Sequence, residues 1–431
     1  MISINPRINL AADKLLPQRD ILLNTDEVAS RLSSRLGTNG PVTINSCERV
    51  RTKYRFGESL RVLHRIRVGH STFTVAARTF PEGRSERAYE RALSETLPCS
   101  PLRPVIHDQE LDTVFWTFPN DRKLSGLQTL TSVPADVAQA FVPGWKRSRL
   151  VAYAPEKSAT AQCLDEGSNV LAYAKVYQGD EGQHIFGIYQ ALRRSLSSGA
   201  QQLELPRALV YSDAHQMLLL ESIEGERLID LGGLDLLNGY KRLGAALAVL
   251  HSLPVPDGLG PFKRLEVKRI RQAARLIGLA RPDVQHVASD LADALTVGWK
   301  PSSATPVCLH GDVHPKNGLL RDECLTLIDF DQAGFGEAAA DLGSFMASLS
   351  YNYLSGLLPD TTARELEGAF LTGYAALREL PEKTTLRWHT AAALLAERAL
   401  RAVNRIRPEG LDCLPALLME ARHVLQSGGK R

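Results

Sequence analysis

Leu309-His310-Gly311-Asp312-Val313-His314-Pro315-Lys316-Asn317, with Leu325-Thr326-Leu327-Ile328-Asp329-Phe330-Asp331 shortly after it, decides how the chain reads. Asp312 stands five residues before Asn317. That spacing lets a short loop aim a carboxylate at an acceptor hydroxyl while an amide oxygen turns toward Mg²⁺. Asp329 closes a short apolar strand, where a hard carboxylate oxygen can take a Mg²⁺ that bridges nucleotide phosphates. Asp312 is therefore expected to be catalytic, and Asn317 and Asp329 to be metal ligands.

Taken singly, each piece has an ordinary explanation. A lone His-Gly-Asp is usually a turn, and an Ile-Asp-Phe is usually a strand end with an exposed acid. Order and spacing together carry the functional meaning. His310 reads as structural, its imidazole fixing the loop, and His314 has no assigned role. Alternatively, His310, Asp312 and His314 could ligate a hydrolytic zinc. A catalytic zinc takes three protein ligands and often a further acid, the chain offers no second His cluster, and Asn317 and Asp329 would go unexplained.

These motifs resemble the aminoglycoside phosphotransferase and choline kinase family, whose pattern is His-Gly-Asp, four residues, Asn, then Ile-Asp-Phe. Gly336 and Ala340-Asp341-Leu342-Gly343 resemble the family's downstream acidic turn, which implies that Asp341 braces the catalytic loop. Leu250-His251-Ser252-Leu253-Pro254 ends an Ala/Leu-rich helix as the family's pre-catalytic helix does. The resemblance runs over residues 145–431. It implies an α+β, protein-kinase-like two-lobe fold with ATP (or GTP) and Mg²⁺ as cofactors. The implied partner is a small-molecule hydroxyl acceptor: a sugar, amino sugar, aminoglycoside or amino alcohol. The rival expectation is a catalytically silent homologue that binds nucleotide or acts as a scaffold.

An internal repeat organises the N-terminal half. Tyr54-Arg55-Phe56-Gly57-Glu58-Ser59 leads through an alternating run to Thr74-Val75-Ala76-Ala77-Arg78-Thr79, and Tyr153-Ala154-Pro155-Glu156-Lys157-Ser158 leads to Leu171-Ala172-Tyr173-Ala174-Lys175-Val176. Leu102 to Leu124 then aligns without gaps on Pro206 to Leu228, setting Val114-Phe115-Trp116 on Leu218-Leu219-Leu220. Period-two alternation makes both copies turns followed by strands. Residues 1–130 are expected to be a cap or a duplicated small-lobe-like module, 131–228 the kinase small lobe, and 229–431 a helical large lobe.

Within the second copy, Lys175 ends an alternating strand, and a lysine there is a compact cation suited to phosphates. By resemblance it contacts the α and β phosphates. Leu218 to Gly225 resembles the linker between lobes, which implies that the backbones of Glu221 and Ile223 pair with adenine. Two departures stand out. No Glu lies between Gly182 and Gln202, where the family's lysine-orienting helix acid would fall, leaving Gln190 as a weak substitute, and the Tyr153–Ser158 turn has no glycine. In the first copy Arg78 replaces the lysine and no catalytic half follows, so that copy reads as a cap or substrate-side module. An extra N-terminal module also precedes the kinase lobes in maltokinase-like relatives, which implies a sugar acceptor.

Composition fits this picture. The hydrophobic fraction is 44% and the charged fraction 23%, and 51 basic against 48 acidic residues leave a net charge of only +3. No basic arm interleaved with aromatics occurs, so nucleic acid is not an expected partner. Six scattered cysteines include no Cys-x-x-Cys pair and read as reduced thiols. Charges interrupt the N-terminal apolar residues, and no apolar run approaches the ~18 residues of a spanning helix. No membrane association and a cytoplasmic location are expected. After residue 235 the chain reads as helical, with core stripes at Leu243, Leu247 and Leu250 and at Leu386, Ala393, Leu400 and Val403. Trp388 and His389 could line an acceptor pocket, but Trp388 is expected to pack in the core and His389 to lie on the surface. From Ala347 to Arg431 nine acids face eleven bases, which is not the acidic lining a polycationic acceptor would favour.

Overall fold

Period-two alternation becomes sheet in both repeats. Along Ser158–Leu164 and Val170–Tyr177, the alternate residues Ala159, Ala161 and Cys163, then Ala172, Ala174 and Val176, are buried while the residues between them are half-exposed. The computed structural model describes residues 9–81, 83–196, 202–300 and 304–427.

In the first copy, helices α1 (Arg19–Leu23) and α2 (Thr25–Arg35) precede strands β1 (Ile44–Arg55), β2 (Ser59–Val68) and β3 (Ser71–Thr79). Helix α3 (Ser85–Glu95) leads to β4 (Val105–Asp108) and β5 (Thr113–Thr117), and the sheet order is β1-β2-β3-β5-β4. In the second copy, α4 (Ala135–Phe141) precedes β6 (Arg147–Ala154), β7 (Ser158–Leu164) and β8 (Val170–Tyr177). Helix α5 (Glu181–Ser195) follows, then β9 (Leu203–Glu204), which joins a different sheet, β10 (Ala208–Ser212) and β11 (Met217–Glu221). The second sheet is ordered β6-β7-β8-β11-β10, strand for strand the order of the first. The gapless sequence alignment places β5 on β11.

The two copies also share a polar staple. Asp13 Oδ2 accepts from the Tyr54 hydroxyl (2.7 Å) and the Gly57 N–H (2.8 Å), while its Oδ1 accepts from the N–H groups of Leu15 and Leu16. Asp121 repeats every bond, with Oδ2 accepting from the Tyr153 hydroxyl (2.6 Å) and the Glu156 N–H (2.9 Å) and Oδ1 from Lys123 and Leu124. Each aspartate thus ties the segment entering a copy to the tip of its first hairpin.

Both sheets lie in one compact unit, Met1–Gln183 with Leu209–Leu220 and Asn404–Ile406. They share a core in which Leu63 and Ala76 of the first copy pack in one cluster with Ala161, Ala174 and Leu219 of the second. Registers place Arg78 opposite Arg61 and Lys175 opposite Thr160, equivalent positions in the two copies. Arg78 finds its partner in the second copy. Its guanidinium lies 3.6 Å from Glu156 at the β6–β7 turn, beside Arg61 (3.1 Å) and Arg122 (2.7 Å).

Burial pushes the Glu156 carboxyl up, but hydrogen bonds from Arg122 and the charges of Arg78 and Arg61 overcome it and hold the group below the usual glutamate range. Because the folded value is depressed, this ion cluster stabilises the fold above the unfolded glutamate pKa and loses its contribution as pH falls through the depressed value. Glu156→Gln leaves three arginines facing one another with their carboxylate gone, and should cost about 3 kcal/mol. Urea unfolding at neutral pH is expected to give a lower midpoint with an unchanged slope; an unaltered midpoint would show that the cluster contributes nothing.

The second unit comprises His184–Ala208, Glu221–Val403 and Arg407–Arg431. Its helices are α6 (Gly233–Leu250), α7 (Val267–Ala280), α8 (Gln285–Gly298), α9 (Ala338–Leu354), α10 (Asp360–Ala375), α11 (Lys383–Ala393) and α12 (Leu400–Arg405), followed by α13 (Pro408–Asp412) and α14 (Leu414–Gln426). Strands β12 (Glu226–Arg227), β14 (Gly318–Arg321) and β15 (Cys324–Leu327) join β9 in one sheet, and β13 (Val307–Leu309) pairs with β16 (Gly334–Gly336). Leu243, Leu247 and Leu250 of α6 are fully buried, as their helical spacing requires.

The later stripe is not one continuous α-helix. A π-helical turn, Leu394–Ala399, separates α11 from α12, although Leu386, Ala393 and Val403 are still buried. Trp388 is buried and its indole N–H donates to the Leu295 carbonyl (2.9 Å). His389 is buried as well, contrary to expectation, because α11 packs that face on α9. Among the described residues, no helix is long and apolar enough to cross a membrane.

Candidate active site

Strand β13 delivers the chain into the loop His310–Asn317, and the β14–β15 hairpin then carries it to Asp329. Gly311 has φ +75°, and a Cβ there would strike the Gln332 carbonyl, so this position of His-Gly-Asp requires glycine. The loop is pinned from beneath. His310 and Gly311 N–H groups donate to the two carboxylate oxygens of Asp341 (2.7 and 2.9 Å), which lies buried in the first turn of α9. His251, which caps α6, places Nε2 3.2 Å from Asp341 Oδ2 and Nδ1 2.9 Å from the Tyr374 hydroxyl. A buried carboxylate with three such partners is fully satisfied, which makes the loop's footing rigid.

His310 spends both ring nitrogens inside the loop. Nε2 lies 3.0 Å from the Ile328 carbonyl and Nδ1 accepts from the Asp312 N–H (3.3 Å). His314 caps the short 3₁₀ turn Pro315–Asn317, its Nδ1 accepting from the Lys316 N–H (3.2 Å), a role the sequence did not assign. Burial, with Lys316 and Arg398 nearby, pulls the His314 imidazole down to about 4, so it is neutral at physiological pH. These internal bonds leave no lone pair on His310 for a metal, which removes the zinc alternative.

Asn317 is buried, and its Nδ2 donates to the Asp312 carbonyl (3.0 Å). The side-chain oxygen is thereby left as the acceptor. Its backbone carbonyl accepts from the Ile328 N–H (3.0 Å), so the segments bearing Asn317 and Asp329 are held together. Asp329 has φ +70°, a left-handed conformation that costs of order 1–3 kcal/mol in a non-glycine residue and is concentrated at functional sites. Its N–H donates to the Tyr189 hydroxyl (3.1 Å), and Phe330 packs between the rings of His310 (4.7 Å) and Tyr189 (5.3 Å).

Among the described residues, no group of three or more His, Cys, Asp or Glu is placed to cage a cation. One carboxylate and one amide oxygen instead fit Mg²⁺, which keeps few protein ligands and fills its shell with water and phosphate oxygens.

The ionisation of Asp312 is set by its cationic neighbours. Burial pushes its carboxyl up, but Arg401, Arg264 and Lys316 outweigh burial and hold it below the ordinary aspartate range. It is ionised at neutral pH and can accept a hydrogen bond from a hydroxyl. Arg401 Nη2 lies 3.9 Å from Asp312 Oδ1, and Arg264 donates to the Gly311 carbonyl (2.8 Å).

Asp312, Asn317 and Asp329 are thus brought together in the second unit, whereas Lys175 belongs to the first. Lys175 is half-buried on β8, its ammonium 5.2 Å from the Tyr177 ring centroid. The chain passes from the first unit to the second between Leu220 and Glu221. The Glu221 N–H donates to the Arg207 carbonyl (3.0 Å), and Ile223 lies in the short connection between β11 and β12. On α5, Gln190 is exposed while its neighbour Tyr189 reaches Asp329. That helix begins at Glu181, one residue ahead of the stretch in which a glutamate was sought. Tyr189, Arg264 and Arg401 were not assigned from sequence, since each is a single residue on a remote helix or loop with no motif around it, and His251 was marked only as part of the Leu250–Pro254 helix end.

Residues 180–380 match the phosphotransferase enzyme family. The phosphotransferase match spans Asp312, Asn317, Asp329 and Asp341, and it begins just after Lys175, leaving the first copy and the first half of the second outside it. No curated protein matches the sequence. Among solved structures, aminoglycoside phosphotransferase APH(4)-Ia is 16% identical, with a TM-score of 0.51 over 70% of this chain and 99% of that one. A thermostable mutant of APH(4)-Ia in ternary complex with ADP and hygromycin B is 15% identical, with a TM-score of 0.50 over 70% of this chain and 100% of that one. Another, in ternary complex with AMP-PNP and hygromycin B, is 16% identical, with a TM-score of 0.50 over the same shares. At such identities the likeness is one of fold: a mixed helix-and-sheet, protein-kinase-like architecture.

Proposed function

We propose that this protein is a small-molecule kinase that transfers the γ-phosphate of ATP, or GTP, to an alcohol group of a small acceptor such as a sugar, amino sugar, aminoglycoside or amino alcohol. The carrying observation is the loop in which Asp312, Asn317 and Asp329 are gathered over the Asp341 brace. The phosphotransferase match over that loop, and the nucleotides bound by the fold neighbours, support the same reading.

In this scheme Asp312 hydrogen-bonds the acceptor hydroxyl, orients it in line with the γ-phosphorus and takes its proton as the new O–P bond forms and the bond to the β-phosphate oxygen breaks. Asn317 and Asp329 hold Mg²⁺. When bound, Mg²⁺ supplies charge neutralisation across the phosphates. Lys175 meets the nucleotide phosphates, and the Glu221 carbonyl and the Ile223 backbone meet the base. The first copy is a duplicate small lobe that braces the β6–β7 turn through Glu156 and carries no second active site.

A thermal-shift series with ATP and GTP, with and without Mg²⁺, tests nucleotide binding directly. Stabilisation that requires both nucleotide and Mg²⁺ is expected. Lys175→Ala should raise the nucleotide KM about tenfold or more, since it removes a cation that offsets phosphate charge. An unchanged KM in folded protein would remove Lys175 from the scheme. Nucleotide binding without turnover on any acceptor would favour a silent, nucleotide-binding homologue.

A further inference from the structure

The surroundings of Asp312 bear on what the acceptor is. Four cations gather there. Arg401, Arg264 and Lys316 are the charged side chains that act most strongly on Asp312, and Arg398 is buried beside Arg401 and Glu397. Asp312 and Glu397 are carboxylates that lie among them. Glu397 is already committed: Oε2 accepts from the Ser344 hydroxyl (2.5 Å), and its oxygens lie 3.5 Å from Arg264 and 3.9 Å from Arg398. Arg264 is fixed by the Gly311 carbonyl and the Gln332 side chain (2.6 Å). Arg398 bonds the Ser344 carbonyl (2.9 Å), and its buried Nε has no partner among the described residues.

Arg401 is less committed than Arg264 and Arg398. Its side chain is 38% exposed, and its ion pair among the described residues is with Asp312 Oδ1 at 3.9 Å, longer than a hydrogen bond. The π-helical turn Leu394–Ala399 directly precedes it in the chain, and such turns are frequent at functional sites.

An acceptor hydroxyl bonded to Asp312 must lie about 2.6–3.2 Å from the carboxylate. Substituents one to three bonds from that hydroxyl are then within reach of Arg401, 3.9 Å from the same carboxylate. An ammonium there would meet Arg401 and Arg264 and be repelled, whereas a carboxylate or phosphate matches the planar fork of the guanidinium. Resting on the kinase reading above, we infer that the acceptor carries an anionic group next to its reactive hydroxyl, and that Arg401 binds that group.

Matched acceptors that differ in charge test this on the full-length protein: gluconate, glucose and glucosamine, and glycerate against glycerol. Binding is measured by calorimetry with Mg²⁺ and AMP-PNP present, and turnover with Mg²⁺ and ATP. The anionic members are expected to bind or react at least about tenfold better than their neutral partners. Arg401→Gln should erase that preference, and Arg401→Lys, which restores the charge, should recover most of it. Preference for glucose, glycerol or glucosamine, absence of binding and turnover with both gluconate and glycerate, or a preference that survives Arg401→Gln would each overturn the inference. In those cases Mg²⁺-dependent AMP-PNP binding would still stand and the kinase reading with it. Failure to bind Mg²⁺ and AMP-PNP at all would instead overturn both.

Discussion

Asp329→Asn is expected to abolish turnover and to uncouple nucleotide binding from Mg²⁺. An amide keeps the size of the carboxylate but lacks the charge that holds a hard dication, and Asn317 alone offers only a neutral oxygen. Loss of the several kcal/mol of charge stabilisation a metal supplies should lower kcat by about 10³-fold or more. The fold should survive, because the Asp329 main chain is held by its N–H bond to Tyr189 and by the packing of Phe330. Asparagine also tolerates the left-handed backbone at φ +70° better than most residues. Activity and Mg²⁺ dependence measured on the folded variant decide the matter; wild-type turnover would remove Asp329 from the metal site.

Asp312→Asn should separate chemistry from binding. Asp312 is held ionised against burial by Arg401, Arg264 and Lys316, and an amide at that position can neither take a proton nor orient the hydroxyl as strongly. A loss of roughly 10²-fold or more in kcat is expected for a positioned base, with nucleotide affinity changed only a few-fold. The loop itself should hold, because its anchors are the main-chain bonds to Asp341 and the Asn317 bond to the Asp312 carbonyl, none of which uses the Asp312 carboxylate. Loss of nucleotide affinity in proportion to kcat would instead make Asp312 a metal ligand.

The repeat was legible in the sequence because strand alternation and a gapless alignment leave a regular trace, and the two sheets share one strand order. The staples that close each copy left no such trace. Asp13 and Asp121 are single polar residues, and their tyrosine partners lie 41 and 32 residues away. Arg78 was recognisable as the counterpart of Lys175, but its ion pair with Glu156 depends on how the sheets pack. In the catalytic loop, Asp312, Asn317 and Asp329 were marked by local spacing, since the backbone between them is short. Tyr189 and Arg401 reach the same loop from distant helices and were invisible to spacing. The π-helical turn at Leu394–Ala399 was equally hidden, because the residues on either side of it keep an apolar pattern compatible with an uninterrupted helix.

Phosphorus NMR of the purified protein with ATP, Mg²⁺ and a mixture of neutral and anionic polyols tests the phosphoryl-transfer assignment most directly. ATP signals should convert to ADP with a new phosphomonoester resonance, and that resonance should be missing with Asp329→Asn and strongly reduced with Asp312→Asn. Formation of the same phosphomonoester by both variants at the wild-type rate would contradict the assignment.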